Sequence, residues 1–203
     1  ANDVTFNRVI VTDGSAAAPA ITFSGDTNLG IYRIGADNLA IAAAGARVLD
    51  ISAAGEIITP LQPAFLAFNS ADDTNQTGNG ADVTIDFDTE VFDQGGDFAA
   101  DTLTAPVTGR YRLSVTVAGQ NFGAGTNIGS VKIVTSNRTY VVIKNSLPIT
   151  NVLDSMTISV LADMDAADTA SGGYQVTGMA GDTVTIDGST TPHYTTFSGE
   201  LVA

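Results

Sequence analysis

Apolar and polar residues alternate with a period of two along much of the chain, the pattern of β-strands that bury one face. Residues 109–119 place apolar side chains at every second position, namely Tyr111, Leu113, Val115 and Val117. The alternation recurs at 156–160 and 184–186, and glycine-rich turns separate these segments. Glycine and small polar residues are the usual turn formers. The pattern predicts an all-β chain whose short strands form a sandwich or barrel.

The first sixty residues contain much shorter strand candidates, separated by small residues. These candidates are Val4–Val11, Ala20–Phe23, Gly30–Ile34, Leu39–Ala42 and Arg47–Ile51. A single copy of such a segment buries little apolar surface against its ordering entropy. We therefore expect residues 1–60 to form a β-rich fibrous shaft ordered by identical copies. Pro60 and Pro63 mark the boundary with a second domain, residues 61–203, because proline lacks a ladder donor and stiffens the link.

Composition excludes several functional classes. The 203 residues include 22 Asp or Glu and 8 Lys or Arg, so the net charge is −14, and there is no cysteine. The charge argues against nucleic acid or an anionic membrane as a partner. The absence of cysteine excludes a disulfide framework, a thiolate nucleophile and a Cys-ligated metal. No apolar run approaches the roughly 18 residues that span a bilayer, so no membrane insertion is expected.

A stretch of about 30 residues in the first part resembles a known type of fibre segment. It reads GDTNLGIYR at 25–33, GADNLAIA at 35–42 and VLDIS at 48–52. This pattern is similar to a segment common in tail-fibre proteins of tailed bacteriophages. The resemblance implies a fibrous element but no particular activity.

The second part, from Pro63 to the C-terminus, contains three recognisable motifs. They are PAFLAFN at 63–69, APVTGRYRL at 105–113 and TFSGELV at 196–202. This part resembles the C1q-like domain of the C1q/TNF superfamily. The resemblance implies a jelly-roll sandwich that binds rather than hydrolyses, and a homotrimer packed around a threefold axis by aromatic and aliphatic residues. Three positions depart from the family pattern: Leu113 takes the place of the last aromatic residue in its motif, Ala167 replaces a glycine, and Glu200 stands where an aromatic residue is common. In the last strand we expect Phe197 to point inward and Gly199 to admit a neighbouring backbone.

Candidate ligand contacts are aromatic and amide side chains expected near loop tips, where rings stack on sugars and amides bond hydroxyls. They are Asn121, Phe122, Asn127, Tyr140, Tyr174, His193 and Tyr194. For Phe122 and Tyr140, a place in the sheet core is the alternative. His193 is the only histidine, and no nucleophile elbow accompanies it, so we expect no Ser-His-Asp triad and no enzyme.

Asp163, Asp165 and Asp168 form a candidate metal site. They do not complete an EF-hand loop, because Asp168 takes the place of the required glycine and Tyr174 that of the bidentate glutamate. The C1q-like resemblance implies that calcium can be held between loops, and calcium is the only cofactor considered. The alternative is a set of solvated turn carboxylates that deter edge pairing.

These observations predict a homotrimeric virion fibre or spike of a tailed phage or phage-like particle. The head is expected to bind the host cell surface through a capsular or other polysaccharide or another receptor, and the N-terminal region to join other virion structural proteins. Three alternatives stay open: a structural decoration or assembly knob without a receptor, a surface-glycan depolymerase, and a bacterial surface adhesin.

Overall fold

The computed structural model describes residues 8–145 and 152–203, and all regular secondary structure within them is β-strand. The all-β prediction is therefore confirmed. The chain divides into two compact units, residues 1–62 and residues 63–203. No helix in the described ranges is suited to crossing a membrane.

From residue 8 onward, where the structure describes it, the N-terminal unit is a five-stranded antiparallel meander. Its strands are β1 (Ile21–Phe23), β2 (Asp26–Gly35), β3 (Asn38–Ala43), β4 (Ala46–Ile51) and β5 (Ile57–Ile58), paired in chain order. The turns after β2 and β3 use left-handed residues, Asp37 and the pair Ala44 and Gly45, which lets the chain reverse tightly. Of the predicted strand Val4–Val11, residues 4–7 lie outside the described residues, and residues 8–11 form no strand.

In its described residues, 63–145 and 152–203, the C-terminal unit contains thirteen strands in two antiparallel sheets. They are β6 (Ala64–Phe68), β7 (Asp73–Thr77), β8 (Asp82–Thr84), β9 (Thr89–Gln94), β10 (Phe98–Ala99), β11 (Thr102–Thr104), β12 (Gly109–Gln120), β13 (Ile128–Thr135), β14 (Thr139–Asn145), β15 (Asp154–Met164), β16 (Thr169–Thr177), β17 (Val184–Ile186) and β18 (Thr196–Leu201). One sheet runs β7-β17-β12-β18-β6-β9, with β15 on the other side of β12. The other runs β10-β11-β16-β13-β14, with β8 also paired to β16.

The core of this unit lies between the two sheets. The four alternating apolar residues predicted for one face of β12 (Tyr111, Leu113, Val115 and Val117) are all buried in it. Phe65 stacks on Phe98 with ring centroids 4.6 Å apart, and Phe197 meets Phe65 edge-on at 4.9 Å. Such aromatic packing contributes beyond simple area burial. The unit is a jelly-roll-type β-sandwich, and Phe197 points inward as expected.

Gly199 admits side chains rather than the neighbouring backbone that the sequence suggested. A Cβ atom at this position would lie 2.6 Å from Cε1 of Phe65 and 2.9 Å from Cδ2 of Leu113. The expectation was wrong in its detail because Gly199 faces the core, where large side chains fill the space that it leaves.

Candidate functional site

Two predicted ligand contacts, Phe122 and Tyr174, lie in the core instead of at exposed loop tips. Their side chains are almost fully buried. Both side chains come close to β12 at Gly119, where a Cβ atom would lie 3.2 Å from Cζ of Phe122 and 3.2 Å from the hydroxyl oxygen of Tyr174. Burial raises the pKa of the Tyr174 hydroxyl, and the nearby carboxylates of Asp154 and Asp187 raise it further. The burial of Phe122 agrees with the core alternative, whereas the exposure expected for Tyr174 was wrong, because its side chain lies beside Gly119 on the inner side of the sheet.

The two predicted amides hydrogen-bond within the protein. Asn121 donates from Nδ2 to Oγ1 of Thr185 at 3.0 Å and has a left-handed φ of 65°. Oδ1 of Asn127 accepts from Oγ1 of Thr177 at 2.6 Å. These bonds hold the loop between β12 and β13, and ligand contact by either amide stays a prediction.

The remaining predicted residues lie on separate elements. Tyr140, on β14, is half-buried against the core. His193 is exposed in the loop before β18 and stacks on the ring of Phe68, with centroids 3.7 Å apart and an interplanar angle of 8°. Tyr194 beside it is 39% exposed. The C-terminal unit has two surface clefts of about 270 Å³, and none of the seven predicted contacts lines either of them.

The three carboxylates of the predicted metal site are turned to neighbouring donors. Oδ2 of Asp163 accepts from Nη2 of Arg138 at 2.8 Å, and Oδ2 of Asp168 accepts from Nδ2 of Asn137 at 2.7 Å. Asp168 also accepts from the backbone N of Asp165 at 2.8 Å. Across residues 8–145 and 152–203, no group of three or more His, Asp or Glu side chains is arranged to hold a metal. The carboxylates accept from side chains and backbone instead of converging, and a metal at these residues stays a prediction.

Of these residues, Asn137, Asp163 and Asp165 line a surface cleft of about 270 Å³ at one end of the sandwich. Its lining consists of Thr108, Gly109, Arg110, Asn137, Asp163, Met164, Asp165 and Ala203. The start of β12 and the end of β15 meet here, because Gly109 is paired with Met164. We call this feature the Arg110 cleft.

Hydrogen bonds hold the polar rim of the Arg110 cleft in place. Oγ1 of Thr108 accepts from the backbone N of Ala166 at 3.1 Å and lies 3.4 Å from Oδ1 of Asp165, to which it can donate. Asn137 is fixed by its bond to Asp168, and Asp163 by its bond to Arg138. Such a rim is pre-organised, so a ligand would not have to order these side chains on binding.

Arg110 is the distinctive charge in this cleft. In the described part of the C-terminal unit, each of the other four cations pairs with a carboxylate: Arg112 with Glu200, Lys132 with Asp82, Arg138 with Asp163, and Lys144 with Asp154. The guanidinium of Arg110 forms no such pair there. An exposed guanidinium offers five N–H donors in a planar fork. The cleft therefore combines a free fork of donors with the acceptor oxygens of Asp163 and Asp165.

Sequence reasoning named the carboxylates of this cleft and missed Arg110, Asn137 and Thr108. Arg110 and Thr108 lie within the stretch that carries the C1q-like resemblance, where they were taken only as indicators of fold. The available signal was the scarcity of cations, since an arginine without an obvious partner is unusual in so acidic a chain. The hydrogen-bonded pairs Arg138–Asp163 and Thr108–Asp165 are 25 and 57 positions apart in the sequence, and only strand register brings their members together.

A second cleft of about 270 Å³ lies on the outer face of the sheet that contains β12. Its lining consists of Ala64, Phe65, Phe92, Arg112, Ser114, Ser198, Gly199 and Glu200. Arg112 and Glu200 are cross-strand partners whose side chains form an exposed ion pair at 3.2 Å. Glu200 thus faces outward, in agreement with its departure from the aromatic residue common in the C1q-like pattern.

A buried carboxyl group lies near other acidic residues around β17. Oδ1 of Asp187 accepts from Nε2 of Gln120 at 2.6 Å, whereas its buried Oδ2 has no hydrogen-bond partner. Burial, with a smaller contribution from Asp72, raises the pKa of Asp187 to about 6. Burial also raises the pKa of Asp73, and repulsion from Asp88 raises it further. At neutral pH the negative charge of this cluster is therefore unfavourable for the folded protein.

Comparison with known proteins gives structural likenesses only. No family model matches the chain, and no curated protein matches it. The globular domain of zebrafish complement 1qA protein is similar over 70% of this chain and 98% of its own, at 14% identity and a TM-score of 0.49. Murine APRIL at pH 5.0 is similar over 70% of this chain and 99% of its own, at 12% identity and a TM-score of 0.47. Murine APRIL at pH 8.5 has 14% identity and a TM-score of 0.44 over the same shares of both chains.

Proposed function

We propose that this chain is part of a homotrimeric virion fibre or spike whose C-terminal head binds a host surface glycan in the Arg110 cleft. The observation that carries this proposal is the unpaired guanidinium of Arg110 in a cleft whose other polar side chains are already fixed by hydrogen bonds. The fibre-type segment in residues 25–52 supports the assignment to a virion particle.

The chemistry of the cleft suits a hydroxyl-rich ligand. Vicinal sugar hydroxyls both donate and accept, so they can bond the guanidinium of Arg110 and the carboxylates of Asp163 and Asp165 together. The two carboxylates disfavour an anionic sugar, and the net charge of −14 adds to that effect. A neutral polysaccharide is therefore the ligand class that we favour.

Trimerisation would raise the overall affinity for the host surface above that of one weak site. A cleft of about 270 Å³ holds roughly one sugar unit, and such sites bind weakly on their own. Three heads on one particle raise the effective concentration at the host surface. The N-terminal unit would then serve as the shaft that joins the copies and connects the head to other virion structural proteins.

Exchange of Arg110 for alanine tests the proposal against a matched control. We expect Arg110→Ala to weaken binding of the full chain to an array of bacterial surface oligosaccharides at least about tenfold, because charge-assisted bonds are lost. Arg112→Ala, two residues along β12, removes an arginine that pairs with Glu200 outside the cleft, and should bind like the wild type. Equal binding by both variants would exclude the Arg110 cleft as the site.

The same assay separates the competing functions. A wild-type chain that binds neither the array nor intact host cells would favour a structural decoration or assembly knob. Release of new reducing ends from a bound polysaccharide would contradict a purely binding role and favour a depolymerase. Binding that persists without new reducing ends agrees with the proposal.

A further inference from the structure

One face of the N-terminal sheet is almost wholly apolar. Cross-strand pairing places Ile21, Ile31, Ile41 and Leu49 in one row across β1 to β4. A second row contains Arg33, Leu39, Ile51 and Ile57 across β2 to β5. Directly paired residues project to the same side of a sheet, and so do residues two apart on one strand. We call this surface the apolar face.

The apolar face is exposed in the single chain. Its isoleucine and leucine side chains, apart from the half-buried Leu49, are between 36% and 71% exposed. Together they expose on the order of 500 Å² of apolar surface, a size that marks interaction sites on soluble proteins. The one charged member, Arg33, is paired with Asp13 at 2.8 Å, so the face has little net charge to oppose burial.

The opposite face supplies almost no core. Among the described residues of this unit, the buried apolar cluster is limited to Tyr32, Ala40 and Ala42, with Ala16 packed against it. Alanine side chains contribute little burial, whereas each ordered residue costs roughly 1–2 kcal/mol of backbone entropy. A sheet needs a packed hydrophobic face for independent stability. The larger apolar residues of this unit are on the face that the single chain leaves uncovered.

We propose that the apolar face is the surface through which copies of this chain pack against one another. The inference rests on the homotrimer in the proposed function and deepens it by naming the contact. Three copies that turn this face toward a common axis would bury the two rows in a shared core. Arg33 would lie beside its own Asp13 at that contact.

Copies of the chain fit this face better than a different partner does. The N-terminal unit has too small a core to stay folded until a different protein binds. A second copy, in contrast, is present whenever the chain is made. Symmetric homo-oligomers bring the same patch from each subunit to a common interface. The face suits that arrangement, because its centre consists of isoleucine and leucine and carries no unpaired charge. Two faces of this size together bury on the order of 1,000 Å², which reaches the lower bound for a specific interface.

The adjacent residues Ile57 and Ile58 provide a matched pair of variants. Both are exposed, but Ile57 is paired with Ile51 on the apolar face, and Ile58 is paired with Asp50 on the other face. We expect Ile57→Lys to shift the full chain from trimer to monomer in light scattering at micromolar concentration. Ile58→Lys places its charge beside Asp50 and should remain trimeric. Equal oligomeric states of the two variants would overturn the proposal.

A cysteine introduced at the centre of the face gives a second readout that does not depend on disrupting the sheet. The natural chain has no cysteine, so a single introduced thiol reacts alone. A short bifunctional maleimide should link subunits of Ile41→Cys and leave Ile58→Cys unlinked. Absence of links in Ile41→Cys within a scattering-confirmed oligomer would place the contact elsewhere and overturn the proposal.

Failure of this inference is distinguishable from failure of the glycan proposal. A monomeric wild type would overturn both the homotrimer and the apolar-face contact, whereas oligosaccharide binding by its head would still be measurable. A trimeric wild type that binds no glycan would overturn only the ligand role. Monomeric Ile57→Lys that still binds oligosaccharide weakly, with Arg110 intact, would support both.

Discussion

At the scale of single residues, Ala167 adopts a backbone conformation that suits glycine. It has a φ of 74° in the turn between β15 and β16, where the backbone N of Asp168 donates to the O of Asp165 at 3.0 Å. A β-turn with a positive φ at its third residue favours glycine there, since a Cβ atom is strained in this region. The C1q-like pattern has glycine at this position, and the turn gives that preference a physical reason.

Ala167→Gly is therefore expected to stabilise the protein. Relief of the strain in the left-handed conformation outweighs the free-energy cost of the added entropy of the unfolded chain. We therefore expect the free energy of unfolding to rise by roughly 0.5–1 kcal/mol. Ala166→Gly, one residue earlier and outside the left-handed region, should destabilise by a similar amount. Denaturant unfolding of both variants measures the difference, and a stabilised Ala166→Gly would contradict the argument.

Asp187 gives a second prediction at this scale, on pH. Its pKa in the folded protein is about 6, above the usual value for an unfolded aspartate, because burial and Asp72 disfavour its charge. The folded state therefore binds a proton more readily than the unfolded state between about pH 4 and pH 6. This group makes the protein more stable as the pH falls through 6 toward 4, and less stable above 6.

Asp187→Asn removes the ionisation and keeps the acceptor for Gln120. We expect the variant to be more stable than the wild type by roughly 1–3 kcal/mol at pH 7.5, and to lose that advantage near pH 4. Chemical denaturation of both proteins across this pH range measures whether the difference in their free energies of unfolding changes as expected. An advantage that is unchanged at pH 4 would show that the cause is something other than charge.

At the scale of elements, the last strand depends on one missing side chain. β18 packs between β12 and β6, and Gly199 lies opposite Leu113 on one strand and Phe65 on the other. Because the rings and methyls of these neighbours occupy the place of a Cβ atom, addition of one crowds the core.

Gly199→Ala is expected to destabilise the C-terminal unit by roughly 1–3 kcal/mol through overpacking. The neighbouring Ser198→Ala, on the outer face, should change the free energy of unfolding by less than about 0.5 kcal/mol. Thermal unfolding monitored by circular dichroism compares the two. Equal midpoints would show that Phe65 and Leu113 move aside without cost.

The strands that the sequence identified are those whose two faces differ in polarity. β12 follows from the alternation of Tyr111, Leu113 and their neighbours. β2 is longer than the predicted Gly30–Ile34, because its start at Asp26 pairs by backbone bonds without an apolar signal. β7 is almost wholly polar and was not identified at all, since pairing with β17 rather than burial defines it.

At the scale of the whole molecule, charge works against association. Three copies carry three times the net charge of −14, and the N-terminal unit has little core to offset repulsion. Added salt shortens the Debye length from about 30 Å at 0.01 M to about 8 Å at 0.15 M. We expect the proposed trimer to dissociate at higher chain concentration in the dilute buffer than at the higher ionic strength. Light scattering over a dilution series measures this shift, and tighter association at low salt would contradict it.

The sequence by itself determined the β-class, the buried face of the main strands and the exclusion of thiol chemistry. These properties follow from local periodicity and composition, which need no knowledge of distant neighbours. Only the tertiary structure decided that Phe122 and Tyr174 are core residues and that Asp163, Asp165 and Asp168 are held by other side chains. It also decided that Arg110 lies with Asn137 and Asp163 in one cleft, and that the N-terminal isoleucines share one face. The physical reason is strand register: it joins residues far apart in the sequence, and it is set by pairing across the whole sheet rather than by any single segment.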